Sequence, residues 1–203
     1  LIFKCIYHIH LNMTFERIEL TNDSWLDIGI YTRGVDFEGI WDIHPKECSK
    51  IILYGKEMVT PRWNQSYIKP YIFSGMSHDG KKLPGILKTY LDWVNTLGYA
   101  EFNQVFLNWY KNGNHYIGPH SDDEKQLVPE SPIVSISFGE ERKFRIRDKK
   151  DKKVITDIIL CDKQIVVMCG KFQKELTHEI VKVSGKKGEN MKRRINITFR
   201  QFK

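Results

Sequence analysis

The sequence predicts a mainly β fold of the α+β kind, with a helix packed on an antiparallel double sheet or jelly roll. Three observations point there. From Gln104 onward the chain breaks into short β-branched and aromatic runs, separated by polar or glycine-containing turns. One clear helical pattern precedes them, over residues 83–97. With 203 residues, 41% of them hydrophobic and 12% aromatic, the chain is long enough for one domain with its own core.

The first twelve residues are apolar, too short for a signal peptide, and lack a small-residue cleavage site. Because the chain begins with Leu1, Met13 is a candidate start, with residues 1–12 a leader and 13–203 the single domain. Residues 14–60 are mixed, with a turn at Thr32-Arg33-Gly34 and a polar break over 44–50. Residues 51–56 form a short strand-like run ending in a glycine turn. In Tyr71-Ile72-Phe73-Ser74-Gly75, alternation sends Tyr71 and Phe73 to one side. Taken alone, that aromatic pair reads as core. In the helix, Leu83, Ile86, Leu87, Tyr90, Leu91, Val94 and Leu97 recur at helical spacing, with Pro84 near the start and Gly98 just past the end. Strands are expected over 105–110, 133–138, 144–147, 154–160, 164–169, 175–183 and 194–199, with no internal repeat.

A formal charge of +7 points to a polyanionic partner, nucleic acid ahead of a membrane surface. No apolar run approaches the ~18 residues of a membrane span. Cys5, Cys48, Cys161 and Cys169 form no Cys-x-x-Cys and are too few for a secreted disulfide framework, so an intracellular, reducing compartment is expected. Two basic runs stand apart, at 142–153 and 182–194. Such runs are usually solvated hairpins, and they also suit phosphate contacts.

The chemistry concentrates between Asn108 and Asp122. His120 and Asp122 lie two positions apart, which on an extended segment aims both at one face. Imidazole plus carboxylate, completed by a second imidazole, is the facial triad that holds Fe(II) with open positions. His-x-Asp alone is frequent by chance. After Asp122, His178 is the remaining histidine and so the candidate third ligand. On the last strand, Arg194, Asn196, Thr198 and Arg200 share one face, and Ile195, Ile197 and Phe199 share the other. If the apolar side faces the core, two guanidiniums line a cavity and require an anion, and a dicarboxylate suits their planar forks. The other reading is a half-exposed strand with solvated arginines. Asn108 and Tyr110 add an amide and a phenol to one face of an earlier strand.

Asn108-x-Tyr110, His120-x-Asp122-Asp123-Glu124, Ser-Pro-Ile-Val-Ser-Ile-Ser-Phe-Gly over 131–139, the distal His178 and Arg194-x-Asn196-x-Thr198-Phe199-Arg200 follow one another in an order that resembles the AlkB family. These are 2-oxoglutarate- and Fe(II)-dependent dioxygenases that repair alkylated nucleic acids, most similar here in the eukaryotic-type DNA-repair branches. The fit runs over residues 51–200, about three quarters of the chain. Leu176 and Thr177 stand where relatives often carry an aromatic, and Ile180-Val181 replaces the usual aliphatic-Pro.

The resemblance implies a double-stranded β-helix with supporting N-terminal helices. It implies oxidative demethylation of 1-methyladenine and 3-methylcytosine in DNA, consuming 2-oxoglutarate and O2 and releasing formaldehyde, succinate and CO2. A monomer is expected, in the nucleus if the source is eukaryotic and in the cytoplasm otherwise. The resemblance assigns iron to His120, Asp122 and His178. It assigns 2-oxoglutarate to Asn108, Tyr110, Arg194 and Arg200, with Asn196 and Thr198 in support and Arg194 on the distal carboxylate. Tyr71, Phe73 and Asp123 match positions that grip a flipped base, Phe73 stacking on it opposite His120. Tyr54-Gly55-Lys56 falls where a wedge fills the vacated stack, making about 51–80 a nucleotide-recognition segment. Two rivals remain. One is the same chemistry on RNA or on a protein side chain, the latter disfavoured by the basic runs. The other is a basic jelly roll that binds nucleic acid without turnover, disfavoured by the ligand set and the two arginines.

Overall fold

A computed structural model describes residues 6–9, 13–53, 55–73 and 76–203, and the side chains of residues 6–9, 13, 53 and 73 lie outside that description. In chain order the elements begin with β1 (Ile6–Ile9), β2 (Met13–Glu19), β3 (Ser24–Ile30) and α1 (Phe37–Asp42). The hairpins β4 (Lys50–Leu53) with β5 (Lys56–Val59) and β7 (Tyr71–Phe73) with β8 (Met76–His78) flank β6 (Trp63–Tyr67), and β9 (Gly80–Lys81) leads into α2 (Gly85–Asn95). Then come β10 (Gln104–Tyr110), β11 (Ile117–His120), β12 (Ile133–Gly139), β13 (Arg142–Asp148), β14 (Val154–Leu160) and β15 (Gln164–Gly170). The chain closes with α3 (Phe172–Glu175), β16 (Leu176–Ile180), α4 (Gly185–Glu189) and β17 (Arg194–Arg200).

From β10 on, the strands pass back and forth between two sheets, except that β13 and β14 form a hairpin within the smaller one. The larger runs β1-β2-β3-β15-β12-β17-β10-β6-β9, and the smaller runs β11-β16-β13-β14. This is the jelly roll expected from strand spacing, and its alternation creates two cores. On β10, Val105, Leu107 and Trp109 face the layer with Leu87, Tyr90 and Val94 of α2, and Phe106 and Tyr110 face the space between the sheets. β17 repeats the division, with Ile195, Ile197 and Phe199 in the helix layer.

The helix expected over 83–97 spans Gly85–Asn95, with Pro84 as its N-cap and Gly98 in the left-handed region at φ 74°. Two strands that the mixed reading of 14–60 passed over, β2 and β3, extend the large sheet, with β3 beside β15. β3 escapes the alternation rule because it buries a carboxylate, Asp27, which Arg17 and Tyr99 satisfy from other segments. Its Gly29 lies where a Cβ would meet the Phe15 ring at 2.9 Å. β1, within the stretch set apart as a leader, pairs with β2. The strand expected over 175–183 runs only Leu176–Ile180, because Glu175 ends a helical turn and accepts the hydroxyls of Thr21 and Ser24.

The first basic run is mostly neutralised where it stands. On β13, Arg142, Phe144 and Ile146 point inward, and Lys143 and Arg145 meet Asp157 across the sheet, as Arg147 meets Glu179. Arg142, 3% exposed, donates to the carbonyls of Asn112, Gly113, His115 and Val181. It closes the barrel and does not face solvent. Arg142→Met should therefore strand buried acceptors and cost on the order of 3 kcal/mol in urea unfolding. Lys150→Met, at an exposed position, should fall within about 0.5 kcal/mol of the parent.

Candidate active site

The register of β11 against β16 sets His120 directly opposite His178, with ring centroids 4.2 Å apart. Asp122 lies just beyond β11, and its Oδ1 stands 3.9 Å from His120 Nε2. Ligand atoms of His120, Asp122 and His178 all fall within 4.8 Å of one another, the one such group among the described residues. Spacing in sequence predicted the first two, and antiparallel pairing delivers the third. His120 Nδ1 lies 2.9 Å from the Gly118 carbonyl, which favours the tautomer protonated there and leaves Nε2 free to ligate.

The carboxylate is held by charge. Arg200 Nη2 donates to Asp122 Oδ2 at 2.9 Å, and the Tyr71 hydroxyl donates to Oδ1 at 3.1 Å. Burial by itself would raise the Asp122 pKa. Arg200 and the two histidines outweigh it and hold the carboxyl below the usual range. Burial likewise works against charge on Arg200, and Asp122 and Tyr71 reverse the balance.

The polar row of β17 lies buried between the sheets, so of the two arrangements its period allowed, the half-exposed strand is not the one found. Arg194 Nη2 donates to Ser137 Oγ, Asn196 Nδ2 to Ser135 Oγ, and Thr198 Oγ1 to Asn196 Oδ1. Arg194 is 1% exposed, stands 4.9 Å over the Tyr110 ring, and keeps Nε and Nη1 without hydrogen-bond partners. Burial lowers it to about 10. A buried guanidinium with two idle donors suits a carboxylate ligand. Asn108 faces Asn196 across the β10–β17 pair and accepts from Arg62 Nε at 2.6 Å.

The residues expected on the base are placed less uniformly. Tyr71 is 3% exposed and packs on Phe106 and Phe202, so the core reading of its ring and a site role for its hydroxyl both have support. The Phe73 side chain and Tyr54 lie outside the described residues. Gly55 occupies a left-handed turn at φ 75°, and Lys56 is exposed at the start of β5. Asp123 is exposed and paired with Lys149 at 2.5 Å.

Three further residues meet here. Arg62 is buried and linked to Asn108, and a lone arginine after Pro61 gave no signal of this. Glu124 belongs to the motif already quoted, yet no role fell to it. Burial, then the Asp122 charge, raises it to about 7; its Oε1 lies 2.8 Å from the Tyr71 hydroxyl and its Oε2 has no partner. Gln173 accepts the Asp122 N–H. A groove of about 1090 Å³, lined by Phe37, Trp41, Trp63 and Arg193, contains none of the triad.

Comparison with known proteins agrees with this geometry. Residues 49–200 match the family described as the 2OG-Fe(II) oxygenase superfamily, and the chain belongs to it. Within it, the resemblance to AlkB dioxygenases holds. The DNA oxidative demethylase ALKBH2 of Homo sapiens is 36% identical over 107 residues, covering 51% of this chain and 41% of that protein. The Arabidopsis thaliana DNA oxidative demethylase ALKBH2 is 31% identical over 180 residues, covering 74% of this chain and 56% of that protein. The chain thus spans about half the length of these relatives. A solved structure titled "The structure of OsALKBH1" superposes with a TM-score of 0.59 over 91% of this chain and 99% of that one; at 15% identity it speaks for the fold. No helix among the described residues is long and apolar enough to cross a membrane.

The buried titratable groups set a pH dependence for the metal-free protein. Burial, reinforced by His120, lowers His178 from 6.5 to about 3, and burial lowers His120 also. Below pH 6.5 the unfolded chain therefore binds protons that the folded chain refuses, and stability falls with pH. Glu124 opposes this between its ordinary 4.5 and about 7, because there only the folded form keeps its proton. Below 4.5 the opposition ends, and from 3.8 down Asp122 adds to the loss. Urea midpoints of chelator-treated protein should decline gently to about pH 4.5 and steeply below it. A midpoint that rises on acidification would contradict this account.

Proposed function

We propose that the chain is an oxidative demethylase of N-alkylated bases in DNA, with 1-methyladenine and 3-methylcytosine as substrates. The observation that carries this reading is the His120, Asp122 and His178 triad, together with a buried Arg194 with two idle donors. The names of the similar ALKBH2 proteins support DNA as the substrate. They also favour a nuclear place in a eukaryote.

In this reading the imidazoles of His120 and His178 and the Asp122 carboxylate would hold Fe(II). When bound, iron and 2-oxoglutarate supply the activation of O2 that hydroxylates the N-methyl group, with succinate, CO2 and formaldehyde as products. Arg194 grips the distal carboxylate of the cosubstrate, with Asn108, Tyr110, Asn196 and Thr198 shaping its channel. Arg200 contributes by keeping Asp122 ionised at the metal end. Tyr71, Phe73 and Asp123 orient the extruded base, and Tyr54-Gly55-Lys56 supports the opened duplex. Within the two basic runs, Lys150, Lys186, Lys187 and Lys192 are exposed and none has a salt bridge among the described residues, so they are cations suited to phosphates.

Formaldehyde and succinate release on methylated oligonucleotides tests the reading. The parent should turn over 1-methyladenine in DNA, and His120→Ala or His178→Ala should reduce turnover to background while the fold persists; Asp122→Ala should do the same at a cost in stability, because it strands the buried Arg200. Full turnover by any of them removes that residue from the site, and release only from RNA favours the RNA alternative. Arg194→Ala should raise the apparent KM for 2-oxoglutarate by about 10- to 100-fold, the loss of a charge-assisted pair. An unchanged KM with weakened DNA binding would place Arg194 on the nucleic acid.

A further inference from the structure

The backbone around Asp122 is pinned on both sides, and both pins lead to the segment that carries His178. Asp122 N donates to Gln173 Oε1 at 2.9 Å, and Ser121 Oγ donates to the Leu176 carbonyl at 2.7 Å. Gln173 lies in α3, which runs straight into β16, with His178 two positions beyond Leu176. α3 is itself held from two directions. The Glu175 carboxylate accepts Thr21 Oγ1 at 2.6 Å and Ser24 Oγ at 2.7 Å. Lys149 Nζ donates to the Gln173 carbonyl at 3.2 Å and also pairs with Asp123. The turn entering α3 needs Gly170, at φ 66°, where a Cβ would strike the Asp23 carbonyl.

We propose that Gln173 is a positioning residue for the metal site, presetting the separation of Asp122 from His178 before any ion arrives. This rests on the reading of His120, Asp122 and His178 as the iron site. Tyr71 and Arg200 govern the rotation of the Asp122 carboxylate, but they touch only its oxygens. Asp122 follows β11 and has no ladder partner, so its main chain depends on side-chain acceptors for its place. Gln173 is 9% exposed, with Nε2 directed at Met168 Sδ at 3.5 Å, which turns Oε1 toward the Asp122 amide. A neutral amide suits this place, because it accepts the N–H without setting a second negative charge beside Asp122. Partners of this outer kind orient ligands and tune affinity.

The test is a Mn(II) titration of the protein without cosubstrate, together with thermal midpoints with and without the ion. Gln173→Met removes the acceptor at nearly constant volume, and Gln173→Asn, which retracts it by one methylene, runs beside it in case the first variant fails to fold. Either folded variant should bind Mn(II) about 10- to 100-fold more weakly. The midpoint rise on adding Mn(II) should shrink accordingly. A variant that melts lower without metal yet keeps the parent's affinity and metal-induced rise has lost only structure, and that overturns the proposal. His178→Ala is the control. If it binds Mn(II) as tightly as the parent, the iron-site reading falls first and takes this inference with it.

Discussion

The contact on which the rest of the structure depends is the buried pair between Arg200 and Asp122, 2.9 Å apart with side chains 5% and 3% exposed. A pair this deep adds little net stability, but removing either partner leaves a charge stranded in a low dielectric. It therefore acts as a constraint on arrangement. It joins the end of β17 in one sheet to the loop beyond β11 at the other, and the Arg200 guanidinium stacks 4.6 Å over the Tyr71 ring. Because Arg200 keeps the carboxylate ionised and burial keeps both histidines neutral, the three groups stand in the protonation states a metal requires.

Core and site are two faces of the same strands. Ile195, Ile197 and Phe199 anchor β17 against the helix layer, and the residues between them form the polar row. A slip of one residue would exchange the faces, burying arginines in the helix layer and turning isoleucines to the cavity. The apolar packing thus enforces the register on which the guanidiniums depend. The row is also knit internally, from Arg194 through Ser137 and from Asn196 through Ser135, so β12 supplies hydroxyls where β17 supplies charge.

Net charge, in contrast, is a poor guide to surface. Much of the run at 142–153 serves the sheet: Arg142 caps carbonyls, and Lys143, Arg145 and Arg147 answer acids on neighbouring strands. In the second run Arg193 pairs with Glu38 and lies over Phe37 and Trp41. Within these two runs the cations left exposed without a salt bridge are mostly lysines, among them Lys150, Lys186, Lys187 and Lys192, and they are identifiable only once partners are known.

What the sequence determined by itself was everything governed by local period. The α2 pattern, the strands β10 and β12 to β17, and the split faces of β17 follow from spacings of 3.6 and 2, whereas the short β11 gave no strand pattern of its own. The motif order also placed the chain near the AlkB family. Tertiary structure decided what depends on partners far apart in the chain. β3 was hidden because its Asp27 is tolerable only beside Arg17 and Tyr99. Arg62, Glu124 and Gln173 carried no periodic signature, since each reaches the site through a contact 46, 53 or 51 residues away. His178 stood out in the sequence only as the last histidine, and it is the antiparallel pairing of β11 with β16 that sets it opposite His120. A period reports which way a side chain points, and only the folded chain determines what it meets there.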